Sequence, residues 1–403
     1  MPNTTFEKRS HDHIEGLKAA GTYKEYKHLE NAMGAHSNMR EAGGDVIVLS
    51  SNNYLGLANH ENVVKASHDA LNTYGAGTAS VRFICGTMSI HETLEKKIAS
   101  FHRQPAALTY SSCWAANTGL FAVICQPGDL LISDELNHAS IIDGCRLVSK
   151  QVTRSVYKHS DMADLESQLK DYKGDGVKFV VTDGVFSMEG DIAKMPELVA
   201  LCEKYEAVLI VDDSHGVGVM GPNGRGTAEH FGLEEKVDIV TGTLGKALGG
   251  AAGGYVAANA DVIDMLIQAS RPHIFSNSIS PTTAAGAMAA IELMETEPQR
   301  VTSLHEKVAY FRKGLLDLGF NPHEGESAII PIIVGETAFA ISIAKKMLEK
   351  GIYVTGFGFP VVPEGTARVR VQISDALTKA DMDTALKAFA EVGVEVGLLK
   401  KSA

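Results

Sequence analysis

The stretch Val237–Gly254, VDIVTGTLGKALGGAAGG, holds one lysine, Lys246. Val237–Val240 is an apolar run, and Thr241-Gly242-Thr243-Leu244-Gly245 turns it toward a surface of small residues. A lysine at such a turn is partly buried. Burial disfavours the ammonium, and the neutral amine can attack a carbonyl carbon. Schiff-base catalysis needs that lysine; a solvated surface lysine is the competing reading. A P-loop is excluded. It requires Ser or Thr directly after Gly-Lys and a glycine five positions earlier, whereas Ala247 follows Lys246 and Val240 takes the glycine's place.

A second segment, Ala207–His215 (AVLIVDDSH), ends an apolar run in two acids, a serine and a histidine. Carboxylates at the carboxyl end of a buried strand face the crevice where open α/β sheets bind ligands. Asp212 there can hold a protonated ring nitrogen and His215 can donate to a ring oxygen. Asp-x-x-His also has metal-ligand character, but no other cluster with ligand spacing lies near it, so no metal is expected. His11 and His13 fall in the polar N-terminal stretch.

Four further places carry polar groups at expected strand ends. Ser111-Ser112-Cys113-Trp114 opens a helix, where main-chain amides suit a phosphate or Ser112 is a plain N-cap. Asn137-His138 follows one strand and Asp183-Gly184-Val185-Phe186-Ser187-Met188 another. Arg368-Val369-Arg370 alternates as a solvated strand face would.

These groups must hang on alternating elements. Strands are expected at Val46–Ser50, Ala106–Tyr110, Leu130–Ser133, Lys178–Thr182, Ala207–Val211, Val237–Thr241 and Gly254–Ala257. Helices are expected at Asn62–Tyr74, His91–Phe101, Ala116–Cys125, Pro196–Tyr205, Thr282–Glu295 and near Arg300–Leu318. Near-continuous apolar strands between helices mean a mostly parallel sheet covered on both faces. The last hundred or so residues change to a smaller α+β domain, with strands at Ile329–Val334, Ile352–Thr355 and Arg368–Ile373 and helices near Ala338–Lys350 and Lys379–Gly397. The expected organisation is an N-terminal helical segment (1–48), a large domain (49–280) and a C-terminal small domain with its linking helix (281–403).

Composition narrows the class. With 403 residues, 45% hydrophobic, the chain can bury a sizeable core. A net charge of −12 argues against nucleic acid and anionic membrane as partners. No apolar run reaches transmembrane length, and the start MPNTTFEKRSHDH is unlike a signal peptide. The five cysteines, Cys85, Cys113, Cys125, Cys145 and Cys202, are odd in number and irregular in spacing. A reduced, cytoplasmic protein is expected.

Taken together, these motifs resemble the α-oxoamine synthases, fold-type I enzymes that use pyridoxal 5′-phosphate (PLP). The resemblance runs from Asn52-Asn53-Tyr54-Leu55-Gly56-Leu57 to Arg368-Val369-Arg370. Within the family it is strongest to the 2-amino-3-ketobutyrate CoA ligase (glycine C-acetyltransferase) branch, through Ala79–Thr87 (ASVRFICGT), Asn137–Gly144 (NHASIIDG), Phe275–Ser278 (FSNS) and Tyr353–Phe357 (YVTGF). The resemblance implies a seven-stranded, mostly parallel sheet. It makes Lys246 the Schiff-base lysine, Asp212 the partner of the pyridine nitrogen and His215 the donor to the phenolic oxygen. His138 stacks on the ring and reaches the acyl carbonyl. Cys113, Trp114 and Thr243 take the phosphate, joined by Ser276 and Asn277 from the second subunit of a homodimer. Asn52, Ser187 and Arg370 hold the substrate carboxylate. The implied reaction joins glycine and acetyl-CoA into 2-amino-3-oxobutanoate and CoA, reversibly, as in threonine breakdown. Sister enzymes are the alternatives: 8-amino-7-oxononanoate synthase with alanine and a longer acyl group, or 5-aminolevulinate synthase with glycine; a PLP aminotransferase is more distant. Trp114 and Ala115 depart from the branch pattern, and so do Thr78 and Gly358. These last two are smaller than usual and are expected to open space in the acyl channel.

Overall fold

The structure, a computed structural model, describes residues 3–400. It divides into two compact units: one of residues up to Ser51 with Lys307–Glu324 and Ala328 onward, the other of Asn52–Glu306 with Gly325–Ser327. The helix Pro281–Thr296, assigned to the small domain from sequence, packs on Glu61–Tyr74 and Ser89–Phe101 of the larger unit. Its many alanines explain this, since small side chains let neighbouring helices approach closely on several sides.

The larger unit is built on seven strands: β1 (Ala106–Tyr110), β2 (Leu130–Asp134), β3 (Thr153–Tyr157), β4 (Lys178–Asp183), β5 (Ala207–Asp212), β6 (Ile239–Thr243) and β7 (Gly254–Ala258). Their order across the sheet is β1-β7-β6-β5-β4-β2-β3. Only β7 runs antiparallel to its neighbours, so the fold is the mostly parallel fold-type I sheet. Both faces are covered, and successive strand residues serve opposite faces. Leu131, Phe179, Val181, Ile210 and Ile239 pack with Leu120, Phe121, Ile141 and Leu266 on one face. Ile132, Val180, Leu209, Val211 and Val240 pack with Leu165, Leu198 and Cys202 on the other. That is why these strands read as unbroken apolar runs.

Register decides where the chemistry sits. Asp183 lies beside Asp212, and Asp212 beside Thr241. Asp134, Asp183, Asp212 and Thr243 close β2, β4, β5 and β6. A row of polar groups therefore lines one edge of the sheet, where a parallel sheet opens its crevice.

In the smaller unit His36–Met39, Gly44–Val48 and Ile352–Tyr353 form one three-stranded sheet, and Ile329–Gly335, Ala367–Gln372 and Thr355–Phe357 the other. The N-terminal helix spans Thr4–Ala19 and buries none of its side chains.

Candidate active site

Asp212 ends β5 and is 3% exposed. Its Oδ2 accepts from Asn117 Nδ2 at 2.6 Å, and its Oδ1 from the Ser214 amide at 3.0 Å. Asn117 lies in the helix Cys113–Ile124, and its amide also donates to Ser140 Oγ at 2.9 Å. Ser140 Oγ is 2.7 Å from His138 Nδ1, which the Ser140 amide also approaches at 3.3 Å. The donor directions are then set. The Ser140 amide donates to Nδ1 of His138, which makes Nδ1 the acceptor and leaves the proton on Nε2; the Ser140 hydroxyl, accepting from Asn117, then donates onward to Nδ1 as well. Burial pushes the His138 pKa down; Asp212 pulls it up, and the charge on Lys246 pushes it down further. The imidazole is thus neutral, with a defined tautomer. Its main-chain amide donates to Asp183 Oδ2 at 2.7 Å, and its ring meets Trp114 edge to face at 6.1 Å.

Asp183 is buried, and both that burial and the charge of Asp212 raise its pKa well above the carboxylate range. Asn137 ties the strand ends together: its Oδ1 accepts from the Asp183 amide at 2.7 Å, and its Nδ2 donates to Val181 O at 2.9 Å. Asp213 points away into a cage of glycines. A Cβ at Gly184, Gly216 or Gly226 would fall 2.4, 1.8 or 1.9 Å from its carboxylate. Burial raises its pKa to about 7, against the pull of the Thr227 amide, which donates to it at 2.6 Å.

His215 is held by Tyr54, whose hydroxyl lies 2.8 Å from Nδ1. Contact with a cofactor oxygen would fall to Nε2. Tyr54 is fully buried and belongs to the turn that also carries Asn52.

Lys246 is half-buried in the loop after β6. Thr243 folds that loop back, its hydroxyl donating to Gly253 O at 3.1 Å and accepting from the Gly245 amide at 3.1 Å. The lysine's charge reaches His138, Asp183 and Cys113. Cys113 is no thiolate nucleophile: burial, then Asp212, push its thiol well above the usual range. The helix it opens is capped by Ser112, whose Oγ accepts from the Ala115 amide at 3.1 Å. The Cys113 and Trp114 amides stand ahead of that cap, at the positive end of the helix dipole. Gly254 brings β7 against this helix start, where a Cβ would come within 2.2 Å of Cys113 N.

The remaining expected site residues lie on other segments of the chain. Ser187 is half-buried in the turn after β4. Ser276 and Asn277 follow a short helix, and Asn277 bridges to Val81 rather than to the Asp212 cluster. Arg370 belongs to the smaller unit, on the central strand Ala367–Gln372. The solvated-face reading fails there: every residue of that strand is buried. Arg370 donates to Gln372 Oε1 at 3.1 Å and stacks 4.5 Å from the centre of the Phe357 ring. Gly358 also departs from expectation. It opens no space, because a Cβ there would meet Thr337 Oγ1 at 2.1 Å. Thr78 is buried, its hydroxyl donating to Ser80 O at 3.1 Å.

Sequence reading missed Asn117, Ser140 and the use made of Tyr54. An asparagine inside the otherwise apolar CWAANTGLFAVI helix was the available signal. Among the described residues no group of three or more His, Cys, Asp or Glu could hold a metal, and no helix is long and apolar enough to cross a membrane.

Residues 44–389 match the family model for aminotransferase class I and II. The chain is 46% identical over 387 residues to 8-amino-7-oxononanoate synthase of Thermoanaerobacter pseudethanolicus, covering 96% of this chain and 97% of that one. It is 44% identical over 380 residues to the human mitochondrial 2-amino-3-ketobutyrate coenzyme A ligase, covering 94% and 90%. A serine palmitoyltransferase holding PLP as its internal aldimine superposes with a TM-score of 0.92 at 30% identity, covering 99% and 100%. The chain belongs to the aminotransferase class I and II family and, within it, to the PLP-dependent α-oxoamine synthases. It is an enzyme of that type.

The residues present fit PLP. A buried carboxylate at a strand end, an amine in the adjoining loop, a neutral imidazole and a helix start against Gly254 match a cationic ring nitrogen, an aldehyde, a ring face and a phosphate.

Proposed function

We propose that the enzyme joins glycine to acetyl-CoA, giving 2-amino-3-oxobutanoate and CoA in a reversible reaction. The observation that carries this reading is the polarised chain Asp212–Asn117–Ser140–His138, which couples a ring-nitrogen partner to a neutral donor beside Lys246. PLP, when bound, supplies the sink for negative charge released at Cα. Lys246 is the base that takes the Cα proton. Asp212 keeps a proton on the ring nitrogen. His138 offers Nε2–H to the thioester carbonyl oxygen, where charge grows as the new carbon–carbon bond forms and CoA thiolate departs. Asn52, Ser187 and Arg370 take the amino acid's carboxylate, the guanidinium as a two-pronged donor that lysine could not replace.

Glycine and acetyl-CoA are favoured by the strings at Ala79–Thr87, Asn137–Gly144, Phe275–Ser278 and Tyr353–Phe357. A second reading, alanine with a longer acyl-CoA, is favoured by the 46% identity to the oxononanoate synthase and by the small Thr78. We also assign a homodimer in which Ser276 and Asn277 complete the partner's phosphate site. Phe83, Ile84 and Phe275 support it, being 67, 68 and 69% exposed on two segments joined by the Val81–Asn277 bridge.

The test is CoA release by the holoenzyme with glycine, alanine and serine against acetyl-CoA and longer acyl-CoAs. Glycine with acetyl-CoA should give the highest kcat/KM. A preference for alanine with a longer acyl group would replace the first reading by the second.

A further inference from the structure

His159 lies outside the groups just described, in the loop after β3, yet both of its ring nitrogens face carboxylates. Nδ1 is 2.9 Å from Asp134 Oδ1, and Nε2 is 2.9 Å from Asp191 Oδ2. A neutral imidazole has a single N–H and would aim a lone pair at one of these oxygens; only the imidazolium satisfies both. The ring also packs edge-on against Phe186, with centres 4.4 Å apart at 81°.

The two carboxylates govern different loops. Asp134 closes β2 and starts the turn toward Asn137-His138. It accepts the Leu136 amide at 2.9 Å on Oδ1 and the Ser160 amide at 3.0 Å on Oδ2. Asp191 closes the loop that holds Ser187. There Val185 bridges to Ile192, the Phe186 amide donates to Asp191 O at 3.0 Å, and the Gly190 amide donates to Phe186 O at 2.8 Å. Ser327 Oγ adds a donor to Gly190 O at 2.6 Å. His159 therefore touches both ends of the Ser187 loop, Phe186 by its ring and Asp191 by its charge, while anchored to the strand that presents His138. The next residue, Ser160, holds a left-handed φ of +54°. A non-glycine residue adopts that backbone at a conformational cost and keeps it only where its surroundings demand it.

We propose that His159 is a positioning residue for amino-acid binding: an imidazolium clamp between Asp134 and Asp191 that holds the Ser187 turn at the substrate carboxylate. The proposal rests on the reading that Ser187 contacts the amino acid. Releasing the clamp frees the turn without removing any group that touches substrate. A misplacement of about 1 Å in such a contact can lower activity as much as a hundredfold.

The experiment titrates glycine into the PLP holoenzyme and follows the cofactor absorbance. His159→Gln should raise the glycine Kd roughly ten- to hundredfold while leaving the absorbance of the unliganded holoenzyme unchanged. Asp191→Asn, at the more exposed end of the clamp, should shift Kd the same way and decides the matter if His159→Gln does not fold. Adding His159→Gln to Ser187→Ala should weaken binding no further than Ser187→Ala alone, because both act on one contact. A normal Kd in His159→Gln beside a weakened Ser187→Ala would overturn the clamp and leave the Ser187 reading standing. A normal Kd in Ser187→Ala would overturn that reading and the clamp with it. Fully multiplicative effects in the double variant would show His159 acting by another route and would also overturn the proposal.

Discussion

Asn117 is the side chain on which the cluster turns. One amide group serves both Asp212 and Ser140, and through Ser140 it ties the end of β5 to His138. Asn117→Ala would leave a buried carboxylate and a buried hydroxyl each short of a donor, at about 1–3 kcal/mol. Exchange of the glycine Cα proton in deuterated water should slow roughly ten- to hundredfold, with PLP still bound. An unchanged exchange rate would mean that Asp212 works without this support. Lys246→Ala is a sharper case. It should abolish both turnover and the characteristic cofactor absorbance while the circular dichroism spectrum stays that of the wild type, since the side chain is only half-buried in a loop.

Among the elements, β7 meets the helix Cys113–Ile124 backbone to backbone at Gly254. Gly254→Ala places a methyl 2.2 Å from Cys113 N, backbone that cannot step aside. Overpacking of this kind typically destabilises by about 1–3 kcal/mol. Thermal unfolding should move down, and dialysis should strip PLP faster than from wild type, because the displaced element is the helix start proposed to take the phosphate. Retention equal to wild type would separate that helix from cofactor binding. Gly358 is likewise crowded rather than open. A phenylalanine there does not fill a gap but collides with Thr337, so Gly358→Phe should lower stability before it alters acyl preference.

For the molecule as a whole, protonation and assembly are the accessible readouts. Burial lowers the His159 pKa, but the hydrogen bonds to Asp134 and Asp191 outweigh it and raise it to about 10. A histidine whose folded pKa lies above its unfolded value of roughly 6.5 contributes stability that is complete below that value and fades as pH rises through the folded one. The Tm difference between wild type and His159→Gln should therefore be large at pH 6 and nearly vanish above pH ~10.5. A constant difference would show that packing on Phe186, not charge, holds the ring. In the proposed dimer, Phe83→Asp with Ile84→Asp buries two charges at the subunit contact. Light scattering should then find folded monomer with little turnover, and an unchanged oligomer would place the contact elsewhere.

Several parts of this protein were legible in its residues alone. Lys246, Asp212 and His215 follow apolar runs closed by turn-forming or polar residues, so their place at strand ends is a local matter of hydrophobic pattern and turn chemistry. The parallel sheet follows likewise from strands greasy on both faces. β3 escaped notice because its sequence, TRSVY, lies at the sheet's edge with only Tyr157 buried and carries no such pattern. The partnerships escaped for another reason. Tyr54 meets His215, Asn117 meets Asp212, and His159 meets Asp191 across long stretches of intervening chain. The burial of Arg370 and the contact of Thr337 with Gly358 are of the same kind. Local spacing encodes the direction a side chain takes from its own element, but not what another element brings to meet it; that depends on strand order and packing, which exist only once the chain has folded.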